Sequence, residues 1–402
     1  MLFELSVGGH YPGYIQHLVR HWRERQLSGH LDVIVSPQFL EQHGDVVEEA
    51  GDRSEIRFRA IAPQEDAALS SRSSGRTRAI RSFQEWQLIR QYATLLKADH
   101  CLIPYFDTRQ LPLALGATLP CSFSGIYFRP TFHYPTFEEY VGSSKDWIQR
   151  SREKFLLGRV LANPQLQTLF CLDPFVLKHL DQFHTSTKAV YLPDPVQIYS
   201  HSPEITAHLK VELGIEAHRK VFLLFGALDG RKGIQQLLTA TATLSPENCQ
   251  KLCLLLVGPI DPQEKPSIDS QIAEIQRSRP VQILHVNRFV IDREIQPYFQ
   301  LSDVILAPYQ RHVGMSAILV RAAAAQKPVL SSNYGLMGEM TRRHQLGLAI
   351  DSTDPQAIAD GISFLLQTSS AQVGDRSKMQ AFAAQNSAQR FADVIFETIW
   401  TG

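Results

Sequence analysis

Leu301–Gly347 reads LSDVILAPYQRHVGMSAILVRAAAAQKPVLSSNYGLMGEMTRRHQLG. Val304-Ile305-Leu306-Ala307 is a short apolar run ended by Pro308, the pattern of a parallel strand buried on both faces. A polar loop, Gln310-Arg311-His312, leads to Gly314-Met315-Ser316 and then to a stretch rich in Ala, Ile and Leu. Ser316 suits the N-cap of a helix, and Lys327-Pro328 ends that helix before a second apolar strand at Val329-Leu330. Strand, loop, helix and strand in this order predict an α/β domain with a parallel sheet. A glycine before a helix, at the carboxyl end of such a strand, leaves backbone amides facing a crevice where the helix dipole favours an anion. Gly314, Met315 and Ser316 therefore read either as a phosphate cradle or as an ordinary strand-to-helix turn.

The chain has 402 residues, more than one ordinary core accommodates, so two domains are expected. Lys plus Arg balance Asp plus Glu at 40 each, which gives no overall charge argument for nucleic acid. The five cysteines are scattered through mostly apolar runs, as reduced buried thiols of a cytoplasmic protein would be. Cys249 and Cys253 lack a second Cys or His pair, so no zinc site is expected. The opening MLFELSVGGHY has no basic leader and carries Glu4 within its apolar run, so it does not read as a signal peptide. No apolar run approaches bilayer length, and a cytoplasmic location is expected.

Toward the N-terminus, Leu2–Val7 reads as a buried strand, Gly8-Gly9-His10 as its exit and Tyr14 onward as a helix. Gly9 would let the backbone approach a ligand, with His10 at the mouth of the crevice; a plain βα turn would look the same. Pro63–Arg81 is serine-rich and predicts a mobile loop, with Arg72, Arg76, Arg78 and Arg81 facing an anionic acceptor, a lipid surface or only solvent. Ile80, Phe83, Leu88 and Leu95 mark an amphipathic helix reaching Lys97. The strand Cys121–Ile126 exits into aromatics around Arg129 and His133, a binding-loop candidate that core aromatics beside a surface Arg would also explain. The proline-rich stretch between Asp194 and Pro203 reads as the linker, after which the alternation restarts. The strand Val221–Phe225 then leads to Gly226, Arg231, Lys232 and Gly233. This is not a P-loop, because the glycine spacing is short and no Ser or Thr follows Lys232. A basic pair at a strand-to-helix turn holds a diphosphate or faces solvent.

The C-terminal half resembles the nucleotide-sugar domain of glycosyltransferase family 4, the glycosyl transferases group 1. The resemblance rests on Val221–Gly226, Lys232-Gly233, Leu256-Val257-Gly258, Asp303–Pro308, Ala324–Val329, Glu339 and Gly347, in order and at fitting spacing. The N-terminal half fits only through Gly8-Gly9 and Leu192–Val196. The resemblance implies an α/β GT-B fold, two Rossmann-like doubly wound parallel-sheet domains facing a cleft. It implies an acceptor domain over 1–195, a nucleotide-sugar domain over 204–375, and a C-terminal helix over 376–402 returning to the first domain.

It further implies a hexosyltransferase-type enzyme moving a sugar from a nucleotide diphosphate-sugar to a carbohydrate or lipid-linked acceptor, as in polysaccharide or glycolipid synthesis. Transfer is expected to be retaining and, with no D-x-D pair in the chain, metal-independent. No cofactor is expected beyond the nucleotide sugar as co-substrate. No nucleic acid is expected, and membrane contact would be peripheral. With the residue readings above, the donor-binding candidates are Gly226, Arg231, Lys232, Gly314, Met315, Ser316 and Arg321, and the acceptor-binding candidates are Gly9, His10 and Arg129. His133, Lys232 and Glu339 are the catalytic candidates. Four positions depart from the family: Ala227 replaces an Arg, Val313 and Arg321 replace its paired glutamates, and Ile126 stands where its histidine falls. Valine cannot hydrogen-bond a hydroxyl, and Arg321 reverses a charge. A GT-B-shaped nucleotide-binding or scaffold protein without transfer chemistry is the alternative.

Overall fold

A computed structural model describes residues 1–137, 140 and 142–400, with Ser370 and Ala371 described by their backbone alone. The chain forms two compact units. The first comprises Met1–His133, Gly142–Pro195 and the stretch from Ala388 onward; the second comprises Val196–Ser387 and the short stretch beginning at Tyr134.

Unit 1 is built on a seven-stranded parallel sheet: β1 (Leu2–Phe3), β2 (Leu31–Val35), β3 (Ile56–Ala60), β4 (His100–Ile103), β5 (Ser122–Tyr127), β6 (Leu166–Cys171) and β7 (Lys188–Tyr191). Their spatial order is β3-β2-β1-β4-β5-β6-β7, so the direction of winding reverses between β1 and β4. Helices α1 (Tyr11–Arg25), α2 (Gly75–Leu95), α3 (Gln110–Ala114) and α4 (Ser144–Leu161) connect strands or follow them. Two cores line the faces of this sheet. One gathers Ile15, Leu18, Val19 and Trp22 of α1 with Phe391, Ala392 and Ile395 of the closing helix Ala388–Trp400. The other gathers Trp86 and Ile89 of α2, Leu113 of α3 and Leu157 and Val160 of α4.

Unit 2 has a six-stranded parallel sheet: β8 (Lys220–Phe225), β9 (Leu252–Val257), β10 (Gln282–Val286), β11 (Val304–Ala307), β12 (Val329–Ser332) and β13 (Gly347–Ile350), in the order β10-β9-β8-β11-β12-β13. β9 reads LCLLLV and is buried at every position, as a strand covered by helices on both faces must be. Here the reversal falls between β8 and β11. Helices α5 (Ile234–Thr243), α6 (Asp292–Leu301), α7 (Ala317–Ala324) and α8 (Gly335–Arg343) follow β8, β10, β11 and β12, and α9 (Arg376–Gln385) packs on α7. The return to unit 1 begins only at Ala388; α9, inside the expected returning segment 376–402, stays in unit 2.

Two local expectations are corrected. Regular pairing in β1 ends at Phe3 rather than Val7, and Glu4 Oε1 accepts the Ser6 amide at 2.8 Å. Pro63–Arg81 is not one loop: Pro63–Ala67 is helical and α2 starts at Gly75, where the Ser74 hydroxyl caps Thr77 N–H. Along α2 the expected apolar face is mostly outside, because Ile80, Phe83 and Leu95 are exposed and only Leu88 is buried. The inner face instead carries Ser82, Glu85, Trp86 and Ile89. Glu85 is tolerated there because Arg109, Arg81 and Arg72 surround its carboxylate, which offsets the cost of burying it.

Candidate functional site

In an open parallel sheet, ligands bind beyond the carboxyl ends of the strands where the winding reverses. In unit 2 that point lies between β8 and β11, and the exits of both strands meet there. After β8 the chain turns through Gly226, at a positive φ of 104°, into a single 3-10 turn, Gly230–Lys232. The Asp229 carboxylate caps that turn by accepting Lys232 N–H at 3.1 Å. Gly233 then starts α5 at φ +76°, and a Cβ there would lie 2.2 Å from the Pro308 carbonyl oxygen at the β11 exit. Only glycine permits this approach of two strand exits.

The turn carries the Lys232 side chain inward. Its ammonium donates to the Phe225 carbonyl oxygen at 3.0 Å, also contacts the Tyr309 hydroxyl, and lies 4.3 Å from the centre of the Tyr309 ring. An ammonium has three donors, and these partners account for two. The Tyr309 hydroxyl lies 3.2 Å from Ser316 Oγ, and that hydroxyl caps α7 by accepting Ile318 N–H at 3.4 Å. Lys232, Tyr309 and Ser316 thus form one chain of contacts across the switch point. Arg231 is exposed, 3.7 Å from Asp229 and 5.9 Å from the Tyr309 ring centre, a second cation beside the same strand exits. Met315 O receives a contact from His312 Nε2 at 3.4 Å.

Gly314 adopts φ +99°, and its amide donates to the Tyr134 hydroxyl at 3.2 Å. Tyr134 is fully buried, and its ring lies so close to Gly335 at the start of α8 that a Cβ on that glycine would come within 2.7 Å of Cε2. An amide expected to face a phosphate therefore meets a phenol oxygen from the segment after β5.

Arg321, expected beside the same diphosphate, is buried within α7 and forms an ion pair with Asp292, the first residue of α6. Val313 is half-buried in the loop before α7, and Ala227 is exposed after β8. Glu339 is buried on α8, where its carboxylate accepts Arg343 Nε at 2.5 Å and Arg342 Nη2 at 3.2 Å. Its charge is matched within its own helix.

In unit 1, Gly9 has φ +72° at the exit of β1. His10 keeps part of its ring exposed but stacks on Phe128 at 4.7 Å and lies against Tyr11 and Tyr14. Burial among these rings, and next the Arg129 cation, holds its imidazole down to about 4, so it is neutral at pH 7. Arg129 is exposed and lines a hollow with Asp107, Lys145, Arg152 and Glu153. His133 is not on a surface loop: it is buried, with Nε2 3.0 Å from Asp173 Oδ2 and its ring 5.6 Å from that of His179. Ile126 is wholly buried within β5.

Among the expected residues, Gly226, Lys232, Gly314 and Ser316 come together at one strand-exit cluster, with Arg231 at its edge. Arg321 and Glu339 are committed to ion pairs of their own. Sequence reasoning passed over Tyr309, Asp292 and Asp107, and had Tyr134 only as one of the aromatics of the loop after the strand Cys121–Ile126. Tyr309 had a signal, an aromatic directly after the strand-ending Pro308. Asp292 had none, and nothing local linked Tyr134 to Gly314, since in both cases the partner is remote in sequence. Asp107 accepts Phe128 N–H at 2.9 Å and Arg129 N–H at 3.0 Å; burial raises its pKa to about 6 against those two amides and the Arg129 charge.

Residues 219–368, well under half the chain, match the family described as glycosyl transferases group 1. A stretch of 188 residues is 27% identical to the D-inositol 3-phosphate glycosyltransferase of Corynebacterium efficiens and covers 43% of each chain. The enzyme of that name from Corynebacterium urealyticum is 28% identical over 188 residues, 46% of this chain and 42% of that one. The match therefore spans less than half the length of these relatives. Among solved structures, HepE of Anabaena in complex with UDP superposes with a TM-score of 0.68 at 16% identity, covering 100% of this chain and 99% of that one. Sucrose-phosphate synthase of Thermosynechococcus elongatus gives 0.69 at 17% identity, covering 100% and 98%. The fold is GT-B, and the C-terminal unit carries the group 1 glycosyltransferase sequence pattern.

Proposed function

We propose that this chain is a glycosyltransferase that takes a hexosyl group from a nucleoside-diphosphate sugar held by unit 2 and passes it to an acceptor. The observation that carries the reading is the cluster between β8 and β11, where Lys232 Nζ meets the Tyr309 hydroxyl, itself 3.2 Å from Ser316 Oγ. A preorganised cation and hydroxyl donors at a helix start stabilise the charge that develops on a departing diphosphate, and such electrostatic stabilisation is commonly the largest catalytic contribution. The names of the matched relatives and the UDP-bound GT-B structure support a nucleotide-sugar donor.

Transfer with retention needs no side-chain nucleophile in this scheme, because the leaving diphosphate itself takes up the acceptor's proton. No D-x-D pair occurs in the sequence, which supports metal-independent transfer; activity should then survive chelation of divalent ions. Titration calorimetry with UDP, GDP and ADP, followed by product analysis with the matching nucleotide sugars, tests the reading. Lys232→Ala should weaken nucleoside-diphosphate binding about tenfold to a hundredfold, the worth of a charge-assisted hydrogen bond. Because Lys232 is buried, Ser316→Ala serves as the second variant, with a smaller loss in the same direction. Unchanged affinity in both variants rejects this diphosphate site.

The second reading, a nucleotide-binding protein without transfer, is favoured by one observation. Arg321 stands at a family glutamate position and is occupied by Asp292. Nucleotide binding without any glycosylated product would favour it.

A further inference from the structure

Helix α4 begins with a capping box, Ser143 and Asp146, and buries Leu157, Val160 and Leu161 on its inner side. Its outer side is unusual for a surface helix. Trp147, Ile148 and Phe155 are 64%, 62% and 71% exposed. Ile148, Arg152, Phe155 and Arg159 follow at steps of four, three and four, so apolar and basic side chains alternate along one line of the helix. The helix holds five basic and two acidic residues. Both acids are turned away from that line: Asp146 closes the cap, and Glu153 accepts Tyr127 OH at 2.5 Å and Thr131 N–H at 2.8 Å. Lys145, Arg152 and Lys154 have no ion pair among the described residues.

Helix α2 adds to the same layer. α2 and α4 both flank α3 and bury their inner faces in one core. Each leads into a strand of a parallel sheet, so each runs against the strands and starts at their carboxyl ends. The first turns of α2 expose Arg76, Arg78, Ile80 and Phe83 there, with no acidic residue among them. In a chain of formal net charge +0, this basic and aromatic face is a local excess.

We propose that the outer face of α4, continued by the start of α2, docks on an anionic lipid bilayer surface. Exposed Trp and Phe suit the headgroup level, Lys and Arg attract anionic headgroups, and together they are the signature of a helix lying in the interface. No helix among the described residues is long and apolar enough to cross a membrane, so such contact would be peripheral. A symmetric pairing of two copies through this face would set like charges against one another. The proposal stands on unit 1 alone and does not depend on the chemistry assigned to unit 2.

The test is co-sedimentation of the full chain with vesicles of phosphatidylcholine alone or mixed with phosphatidylglycerol, at low and high salt. The parent should bind the mixed vesicles, bind the neutral ones weakly, and be released by salt. Trp147→Ser with Phe155→Ser, and separately Arg152→Glu with Lys154→Glu, should each lower binding to mixed vesicles about tenfold or more. All four positions are exposed, so thermal unfolding should be unchanged. Absence of parent binding to the mixed vesicles, or equal binding by parent and both variants, overturns the proposal. So does a parent dimer that the Trp147→Ser, Phe155→Ser variant converts to a monomer, since the face would then join two copies.

Discussion

Arg321 holds its charge against Asp292, and the pair is unequal: the guanidinium is buried while the carboxylate is half-exposed. Removing one partner of a buried pair costs more than the pair contributes, because the remaining charge stays in a poor solvent. Arg321→Glu would set a second carboxylate against Asp292 and should destabilise the protein by about 2–3 kcal/mol, with the exposure of Asp292 tempering the effect. Denaturant titration reads the loss. Combining Arg321→Glu with Asp292→Arg should recover part of it, as a coupled pair requires; no recovery would mean that the pairing does not hold Arg321 in place. The sequence placed Arg321 on the helix after Ser316, and the structure agrees. It did not show where the side chain goes, because Asp292 lies 29 positions away and nothing local links the two. Lys232 was easier to read, since Gly226, Lys232 and Gly233 lie in one short connection between β8 and α5.

At the level of elements, the strands were the most legible feature and α2 the least. β8, β9 and β11 are apolar runs whose burial needs no partner to interpret. α2 misleads because its buried face carries Ser82 and Glu85 while Ile80, Phe83 and Leu95 face outward. Periodicity cannot anticipate that Arg109, from the turn after β4, neutralises Glu85 inside the fold. That turn also pins the β5 exit, where Asp107 accepts the amides of Phe128 and Arg129. Burial raises the Asp107 pKa from 3.8 to about 6. A carboxyl whose folded pKa lies above its unfolded value binds protons more tightly when folded. Its contribution therefore falls as pH rises from about 4 to about 6, and the penalty is fully present above that window. The shift corresponds to about 2–3 kcal/mol across the window. Asp107→Asn keeps one acceptor and abolishes the titration. Stability measured from about pH 4 to about pH 7 should therefore fall less in the variant than in the parent, by roughly that amount. His10, whose pKa is lowered to about 4, acts in the opposite direction and cancels in the comparison. Parallel pH profiles for parent and variant would remove Asp107 as the titrating group.

For the whole molecule, the instructive feature is that the last helix belongs to the first unit. Alternating strands and helices made two parallel-sheet domains readable, but the amphipathic pattern of the final residues does not say which core they complete; only the family resemblance pointed to the first. Phe391 and Ile395 are fully buried beside Tyr14 and Leu18 of α1, with ring centres of Tyr14 and Phe391 4.8 Å apart. The chain leaves unit 2 immediately before this helix, where Val196 N–H donates to Asn386 O at 3.0 Å and Val196 pairs with Ser387. That closure is made entirely of unit 2 residues and does not require the helix. Replacing Phe391 and Ile395 by Ala should cost about 5–9 kcal/mol if the two losses add, comparable to the whole stability of an ordinary domain. The cost should fall on one unit. Hydrogen exchange should then show amides of β1, β2 and α1 losing protection, while those of β8, β9 and β11 keep theirs. Because the two sheets have separate cores, loss confined to unit 1 is the outcome this division requires. Equal loss in both sheets would show that the units unfold as one, and intact protection in β1 and β2 would show that unit 1 is complete without the closing helix.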